Sequence, residues 1–267
     1  MSDHSDYDAL PGITATAIKA GATSMAHMRL AVTGARPEPT DAMLRGSLLH
    51  LAILEPGRLA TDVAAYEGRR AGLAWEGWRD AHAGQLLVRP GDLDTATAVA
   101  AAVRRHPDAS RLLAGCAYEH VQQWTGDGYG QAKARLDAYA AGRVVDLKTT
   151  GRLGAVDRAL IRDGYHLQLG WYCHGAAALT GALHDAFIVW AETVPPHDVL
   201  VTQLGYDLLE YGEREAVRLA TEYRACERAG VWPGRDGGAG VRVVGLPPWL
   251  GDVELQGADD ADQEGAG

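Results

Sequence analysis

QAKARLDAYAAGRVVDLKTT, residues 131–150, is the stretch whose pattern decides the fold. Apolar Ala134, Leu136, Ala138 and Ala140 alternate with Lys133, Arg135, Asp137 and Tyr139, the period-two pattern of a half-buried strand. Gly142 supplies a turn, and Val144, Val145 and Leu147 begin a second strand that carries Asp146 and Lys148. The stretch therefore predicts a β-hairpin. Pairing its strands sets Asp137 close to Asp146, because cross-strand neighbours on one face are about 5 Å apart. Asp146 and Lys148 are two residues apart on one strand, so their side chains share that face.

Two carboxylates at such spacing repel, and one of them is expected to hold a proton. A divalent cation removes the conflict. Hard oxygen donors suit Mg²⁺ or Mn²⁺, and a neighbouring lysine then positions or activates a water, which is the chemistry of metal-assisted hydrolysis. The plain alternative is a surface hairpin whose Asp and Lys form an exposed ion pair of little consequence. Val144, Val145 and Leu147 around the charges favour the first reading, since buried strands rarely carry spare charges.

With 267 residues, 47% hydrophobic and 22% charged, the chain has the composition of a folded protein with a sizeable core. It holds no uninterrupted apolar run of about 18 residues, and its N-terminus, MSDHSDYDALPG, is polar and acidic. Membrane association is not expected, and the chain reads as soluble and intracellular. Cys116, Cys173 and Cys226 are odd in number and widely spaced, which excludes a disulfide framework, a zinc knuckle and an iron–sulfur cluster. A net charge of −10 speaks against nucleic acid until its distribution is examined. Residues 251–267 hold six acids and no base, whereas residues 131–162 hold seven bases against three acids. With Asp137 and Asp146 neutralised by metal, that region is locally positive.

Residues 1–11 read as a flexible arm, 12–232 as the folded domain, and 233–267 as a Gly-rich, acidic, largely disordered tail containing a short docking candidate, LPPWL, at 246–250. Thr14 caps a helix expected to run through Ile18, Met25, Met28 and Val32, and Thr40 or Asp41 caps a second, nearly apolar helix around His50. The pattern over residues 60–66 suggests a strand and that over 75–82 a short helix, with Trp75 and Trp78 as a packing pair. Residues 90–105 form an amphipathic helix, and 116–124 a strand bearing Glu119, either a further ligand or a salt-bridge partner. Helices over 165–179 and 206–229 bracket two more strands, and on the first of these helices Gln168 and Tyr172 share a face. A lone His50 on an apolar helix is by itself more often a core histidine than a ligand.

Taken together, these pieces resemble the PD-(D/E)XK nuclease superfamily in its phage-type exonuclease branch, which includes exonuclease VIII (RecE-type) and RecB-type nuclease domains. The resemblance is carried by G-x-x-x-H at Gly46–His50 followed by Leu54-Glu55-Pro56, by Asp137…Asp146-Leu147-Lys148 with Thr149-Thr150 after it, by Q-x-x-x-Y at Gln168–Tyr172, and by the opening LPGITATAIK at residues 10–19. It covers roughly residues 10–205, and departs from the pattern in placing Leu136, not proline, before the first Asp. It implies an α/β (α+β) fold, a central mixed β-sheet flanked by helices around a restriction-endonuclease-like core. It further implies that Asp137, Asp146, the Leu147 carbonyl and His50 ligate Mg²⁺ or Mn²⁺, and that Lys148 holds the attacking water. Gln168 and Tyr172 would support that lysine and contact the DNA strand.

The implied activity is a metal-dependent exonuclease acting on double-strand DNA ends, 5′ to 3′, in phage-type recombination beside a single-strand annealing protein in the bacterial cytoplasm. Assembly as a homo-oligomeric ring would place the bases inward. An endonuclease or repair nuclease with the same site is one alternative; a non-catalytic nucleic-acid-binding protein retaining the fold is the other.

Overall fold

Two hydroxyl caps punctuate the N-terminal region. Thr14 Oγ1 accepts the Ala17 amide (3.2 Å) and starts α1 (Ala15–Gly21), and Ser24 Oγ accepts the His27 amide (3.2 Å) and starts α2 (Met25–Thr33). The single helix expected through Val32 is therefore two, because Ser24 offers the backbone an alternative partner where the first helix ends. Thr40 caps α3 (Asp41–Leu54) through the Met43 amide (3.3 Å).

The computed structural model describes residues 7–34, 39–237, 241, 243 and 245. The chain divides into two compact units, Met1–Arg235 and Asp236–Gly267, and every helix and strand named here belongs to the first. The segment 246–250 and most of the acidic tail lie outside the described residues.

After α3 come a helical turn α4 (Leu59–Asp62), strand β1 (Val63–Ala65), helix α5 (Leu73–Ala81) and strand β2 (Leu86–Val88); β1 and β2 pair in parallel as a small separate sheet. Only the last part of the strand expected over 60–66 is extended. Trp75 stacks on Trp78 and Tyr66 packs tilted against both, with centroids 4.9 to 5.7 Å apart, a packing cluster. The expected amphipathic helix is α6 (Pro90–Arg105). It is followed by α7 (Pro107–Leu113), which the sequence reading lacks; His106 caps it through the Ala109 amide at 3.2 Å and Pro107 opens it.

The main sheet orders β3 (Ala117–Gly126), β4 (Gly130–Ala140), β5 (Arg143–Thr150), β6 (Asp185–Glu192) and β7 (Val199–Gln203). All neighbours are antiparallel except β5 and β6, whose parallel pairing needs a crossover. Helices α8 (Val156–Arg162) and α9 (Tyr165–Thr180) supply it, and α10 (Tyr206–Ala229) closes the domain. The fold is thus mixed α/β, a five-stranded mixed sheet flanked by helices.

One face of the sheet packs against α1, α2, α9 and α10 through Ile18, Met28, Leu136, Val144, Trp171 and Leu219. The other packs against α3, α6 and α7 through Leu48, Val99, Leu112, Val145, Leu147 and Val189. Covered on both faces, β5 runs apolar at consecutive positions instead of alternating. Residues 7–10, part of the expected flexible arm, are tied to the sheet: buried Lys133 donates to the carbonyls of Tyr7 (2.9 Å), Asp8 (3.3 Å) and Leu10 (2.6 Å). No described helix is long and apolar enough to cross a membrane.

Helices α9 and α10 touch backbone to backbone at two glycines. A Cβ on Gly170 would meet the Glu213 amide nitrogen at 2.3 Å, and one on Gly212 the His166 carbonyl oxygen at 2.2 Å. In an open helix, Gly→Ala stabilises by about 1 kcal/mol. Here overpacking, about 1–3 kcal/mol, opposes that gain. Gly212→Ala is expected to lower the urea midpoint; a raised midpoint contradicts the close approach.

Candidate active site

The β4–β5 ladder runs Ala140–Arg143, Tyr139–Val144 and Ala138–Val145, then stops. The next pair in register is Asp137 and Asp146, and there the strands part. The Leu147 amide donates to Asp137 Oδ2 (2.7 Å). On the other side of β4 the register passes from Tyr118–Ala138 to His120–Leu136 and omits Glu119 and Asp137. Glu119 takes φ +50°, a left-handed conformation that costs a side-chain-bearing residue about 1–2 kcal/mol. The alternation of β4 inverts at the same place: Ala132, Ala134 and Leu136 enter one core and Ala138 the other. Asp137 thus sits at a kink, between Glu119 on one neighbouring strand and Asp146 on the other. The expected pairing across a regular hairpin is replaced by a split in the sheet.

Helix α3 closes one side of this split. Its Leu48, Leu49, Ala52 and Ile53 are buried, which leaves His50 at the edge with Nδ1 3.5 Å from Asp137 Oδ1. His50 and Asp137 keep 26% and 16% of their side-chain surface exposed, enough to be reached from solvent. Glu119 is held by Arg135 at 2.8 Å, and His50, Glu119 and Asp137 offer three ligand atoms within 4.8 Å of one another. Both sequence readings of Glu119 therefore hold geometrically.

Helix α9 closes the other side. Gln168 Nε2 donates to Asp146 Oδ1 (2.7 Å) and to the Tyr172 hydroxyl (3.1 Å), so the i, i+4 pair anticipated on this helix meets the carboxylate. Asp146 Oδ2 lies 2.5 Å from Lys148 Nζ, yet this buried oxygen has no properly directed hydrogen bond. Of the residues the resemblance names, His50 and Asp137 meet directly, while Asp146, Lys148, Gln168 and Tyr172 form an adjoining network. Leu147 contributes its amide to Asp137, and its side chain is core.

Charge is crowded here. Burial and then Asp137 raise the pKa of Glu119 despite Arg135. Burial raises Asp146 too, and with Asp137 it outweighs Lys148. Against the upward push of burial, His50, Lys148 and the Leu147 amide hold Asp137 down to about 2. Burial pulls Lys148 down, but Asp146 and Asp137 more than restore it, so it stays an ammonium. Burial, then Asp146, lift the Tyr172 hydroxyl well above its ordinary range, which keeps its proton in place as a potential donor.

These donors fit a divalent cation. His50, Glu119 and Asp137 bring two carboxylates and an imidazole within reach of one ion, Asp146 adjoins them, Asp137 adds to the upward push of burial on both Glu119 and Asp146, and Asp146 Oδ2 has a lone pair to give.

Two neighbours escaped the sequence reading. Lys19, on α1, donates to Gln168 Oε1 (3.2 Å), and the Tyr165 ring lies beneath Lys148, 4.9 Å from Nζ to centroid. Lys19 ends the family-like stretch LPGITATAIK, but nothing local gives either residue its role, since their contacts depend on how α1 and α9 dock.

Residues 14–241 match the family model of a PDDEXK-like domain of unknown function (DUF3799). No curated protein matches the chain in sequence. Among solved structures, a candidate exonuclease from Eubacterium rectale shares 16% identity over 96% of both chains with a TM-score of 0.62. A phage related exonuclease from Haemophilus somnus 129PT shares 11% identity, covering 82% of this chain and 96% of its own, with a TM-score of 0.35. The first of the two has the same fold along the whole chain.

His50 offers a direct check on the cluster. Burial lowers its pKa, but Asp137 outweighs burial and raises it above 6.5. A raised histidine stabilises the fold below its unfolded value and loses that contribution as pH rises through the folded pKa; the depressed Asp137 contributes above 3.8 and loses it as pH falls through about 2. The pair thus contributes fully between about 4 and 6.5. In metal-free protein the His50 imidazole resonances are expected to titrate above 6.5, and lower in Asp137→Asn, where Asp146 is the one carboxylate left against burial and Lys148. An unmoved midpoint in the variant contradicts the pairing.

Proposed function

Because this chain belongs to the PDDEXK-like domain family (DUF3799), we propose that it is a metal-dependent DNA exonuclease, hydrolysing phosphodiester bonds at double-strand ends. The fold is a nuclease fold and implies a nucleic-acid substrate. The observation that carries the reading is the convergence of His50, Glu119, Asp137, Asp146 and Lys148 on one split in the sheet.

His50, Glu119, Asp137 and Asp146, with the Leu147 carbonyl, would hold Mg²⁺ or Mn²⁺. When bound, such a cation supplies Lewis acidity and neutralises charge on the phosphate. The chain's own groups do the rest. Lys148, kept cationic by its two carboxylates, orients the attacking water and stabilises charge building on the phosphoryl oxygens. Gln168 fixes the rotamer of Asp146, and the Tyr172 hydroxyl, which keeps its proton, backs that amide. The 5′ to 3′ direction, a role in phage-type recombination or repair beside a single-strand annealing protein, and assembly as a homo-oligomeric ring rest on the resemblance alone.

A linear duplex labelled separately at each 5′ and 3′ end, incubated with and without Mg²⁺ beside a covalently closed circle, tests the reading. Metal-dependent shortening of the linear duplex from its 5′ ends is expected, with the circle untouched. Lys148→Ala is expected to lose about 100-fold or more in rate, the scale of removing one preorganised charge stabiliser. Cleavage of the circle would instead select an endonuclease, and full activity in EDTA or in Lys148→Ala would rule the mechanism out.

A further inference from the structure

A second cluster of charge lies outside the candidate centre, where α3, β2 and the start of α6 meet. Arg45, Arg70 and Arg89 line a cavity there of about 120 Å³, together with Asp41 and Asp92. Among the described residues no ion pair joins any of the three arginines to either carboxylate, and Asp92 instead accepts the Arg89 backbone amide (3.4 Å). A guanidinium carries five N–H donors. Arg70 directs one, from Nη2 to the Leu87 carbonyl (3.2 Å), while its Nε is buried with no partner. Buried donors without an acceptor are unfavourable and rare in folded proteins. Three arginines against two carboxylates beside the amino end of α6 leave positive charge in excess, and the missing partner is an anion with several acceptor oxygens.

Arg70 also belongs to the aromatic cluster that follows β1. Its guanidinium lies over the Trp75 ring, 5.5 Å to the centroid, and Trp75 packs in turn with Tyr66 and Trp78. Helix α5, which carries both tryptophans, buries no residue, and Leu73 at its start is 87% exposed. The three rings are half-buried and belong to neither apolar core, so they hold one another while part of each meets solvent. An apolar surface of this kind marks a place of contact. An anion alone would satisfy the arginines and leave the rings bare. A nucleotide, with its phosphate in the cavity and its base against the rings, uses both. Bases can lie on aromatic side chains only where the strand is unpaired.

We propose that Arg45, Arg70 and Arg89 grip a backbone phosphate of single-stranded DNA while the cluster of Tyr66, Trp75 and Trp78 takes an adjoining base, a strand-holding site that shares no residue with the metal cluster. The choice of DNA rests on the nuclease reading; the site itself rests on the unpaired arginines, the cavity and the unburied α5. Arg70, in contact with both halves, sets the phosphate beside the ring.

The test is equilibrium binding of fluorescent oligo(dT) to the full chain in EDTA, across a series of NaCl concentrations. Arg45 and Arg89 are exposed, so a double variant, Arg45→Met with Arg89→Met, is expected to fold. Its plot of log affinity against log salt should be shallower by about 0.7, the loss of one single-strand phosphate contact. Arg45→Lys with Arg89→Lys should retain the wild-type slope, as should Arg228→Met at the far end of α10. Trp75→Leu is expected to bind about tenfold more weakly with the slope kept, the loss of one stacked base. If Trp75→Leu proves unstable on melting, Trp75→Phe reads the same contact: affinity holds, and the tryptophan quench caused by unlabelled oligo(dT) falls.

An unchanged slope in the methionine double variant overturns the site, and so does an equal slope change in Arg228→Met, which would reduce the effect to overall charge. Unchanged affinity in folded Trp75→Leu, or an unchanged quench in Trp75→Phe, overturns the base contact. Inorganic phosphate, titrated at constant ionic strength, separates the sources: tight phosphate binding that needs the arginines, with no effect of Trp75 on oligo(dT), assigns the cavity to a free anion and overturns the strand assignment. A blunt duplex bound as tightly as oligo(dT), with the same variant effects, overturns the choice of a single strand. Mg²⁺-dependent cleavage by the wild type is read separately. Its absence with these effects intact removes the nuclease reading and leaves the site, and cleavage without them does the reverse.

Discussion

Acidic groups gathered where a β-ladder breaks, Glu119 and Asp137 beside His50 with Asp146 adjoining, are the constraint around which this domain is arranged. Glu119, Asp137 and Asp146 occupy three adjacent strands at the same level, and a regular sheet would turn at least one of them away or pair its backbone. The ladder gives way on both sides of Asp137: Glu119 adopts a left-handed backbone, and the Leu147 amide turns to the Asp137 carboxylate. Strain of this kind persists only where the surroundings hold it in place. Here α3 brings His50 from one face, α9 brings Gln168 from the other, and Arg135 and Lys148 reach in along the strands.

The two-faced packing explains how such a cluster is kept firm yet reachable. Both faces of the sheet are sealed by apolar clusters, so β5 carries Asp146 and Lys148 from an interior that cannot easily rearrange. The tight contact of α9 with α10 at Gly170 and Gly212 fixes the helix that presents Gln168 and Tyr172. His50 and Asp137 remain partly exposed on the other side. The negative charge is balanced only in part by His50, Lys148 and Arg135, which leaves the cluster suited to a cation.

Much of this was legible in the chain because it is local. Period-two alternation located the hairpin, caps and periodicity located α6, α9 and α10 almost to the residue, and spacing placed Asp146 with Lys148 and Gln168 with Tyr172. What escaped is non-local. The alternation Ala134, Leu136, Ala138 is unbroken in sequence, so the inversion of β4 at Asp137 leaves no trace there; it arises from the opposing kink at Glu119. The break between α1 and α2 is marked only by Gly21 and the hydroxyls of Thr23 and Ser24, set within an otherwise helical pattern. Lys19 is 149 residues from Gln168, and nothing short of the docked helices joins them.

The most direct measurement is anomalous diffraction from crystals grown with Mn²⁺. A peak within coordinating reach of His50, Glu119 and Asp137, on the side facing Asp146, is the expected result. Mn²⁺ bound elsewhere, or no Mn²⁺ in crystals whose carboxylates keep this geometry, would contradict the claim that the broken ladder exists to hold a metal.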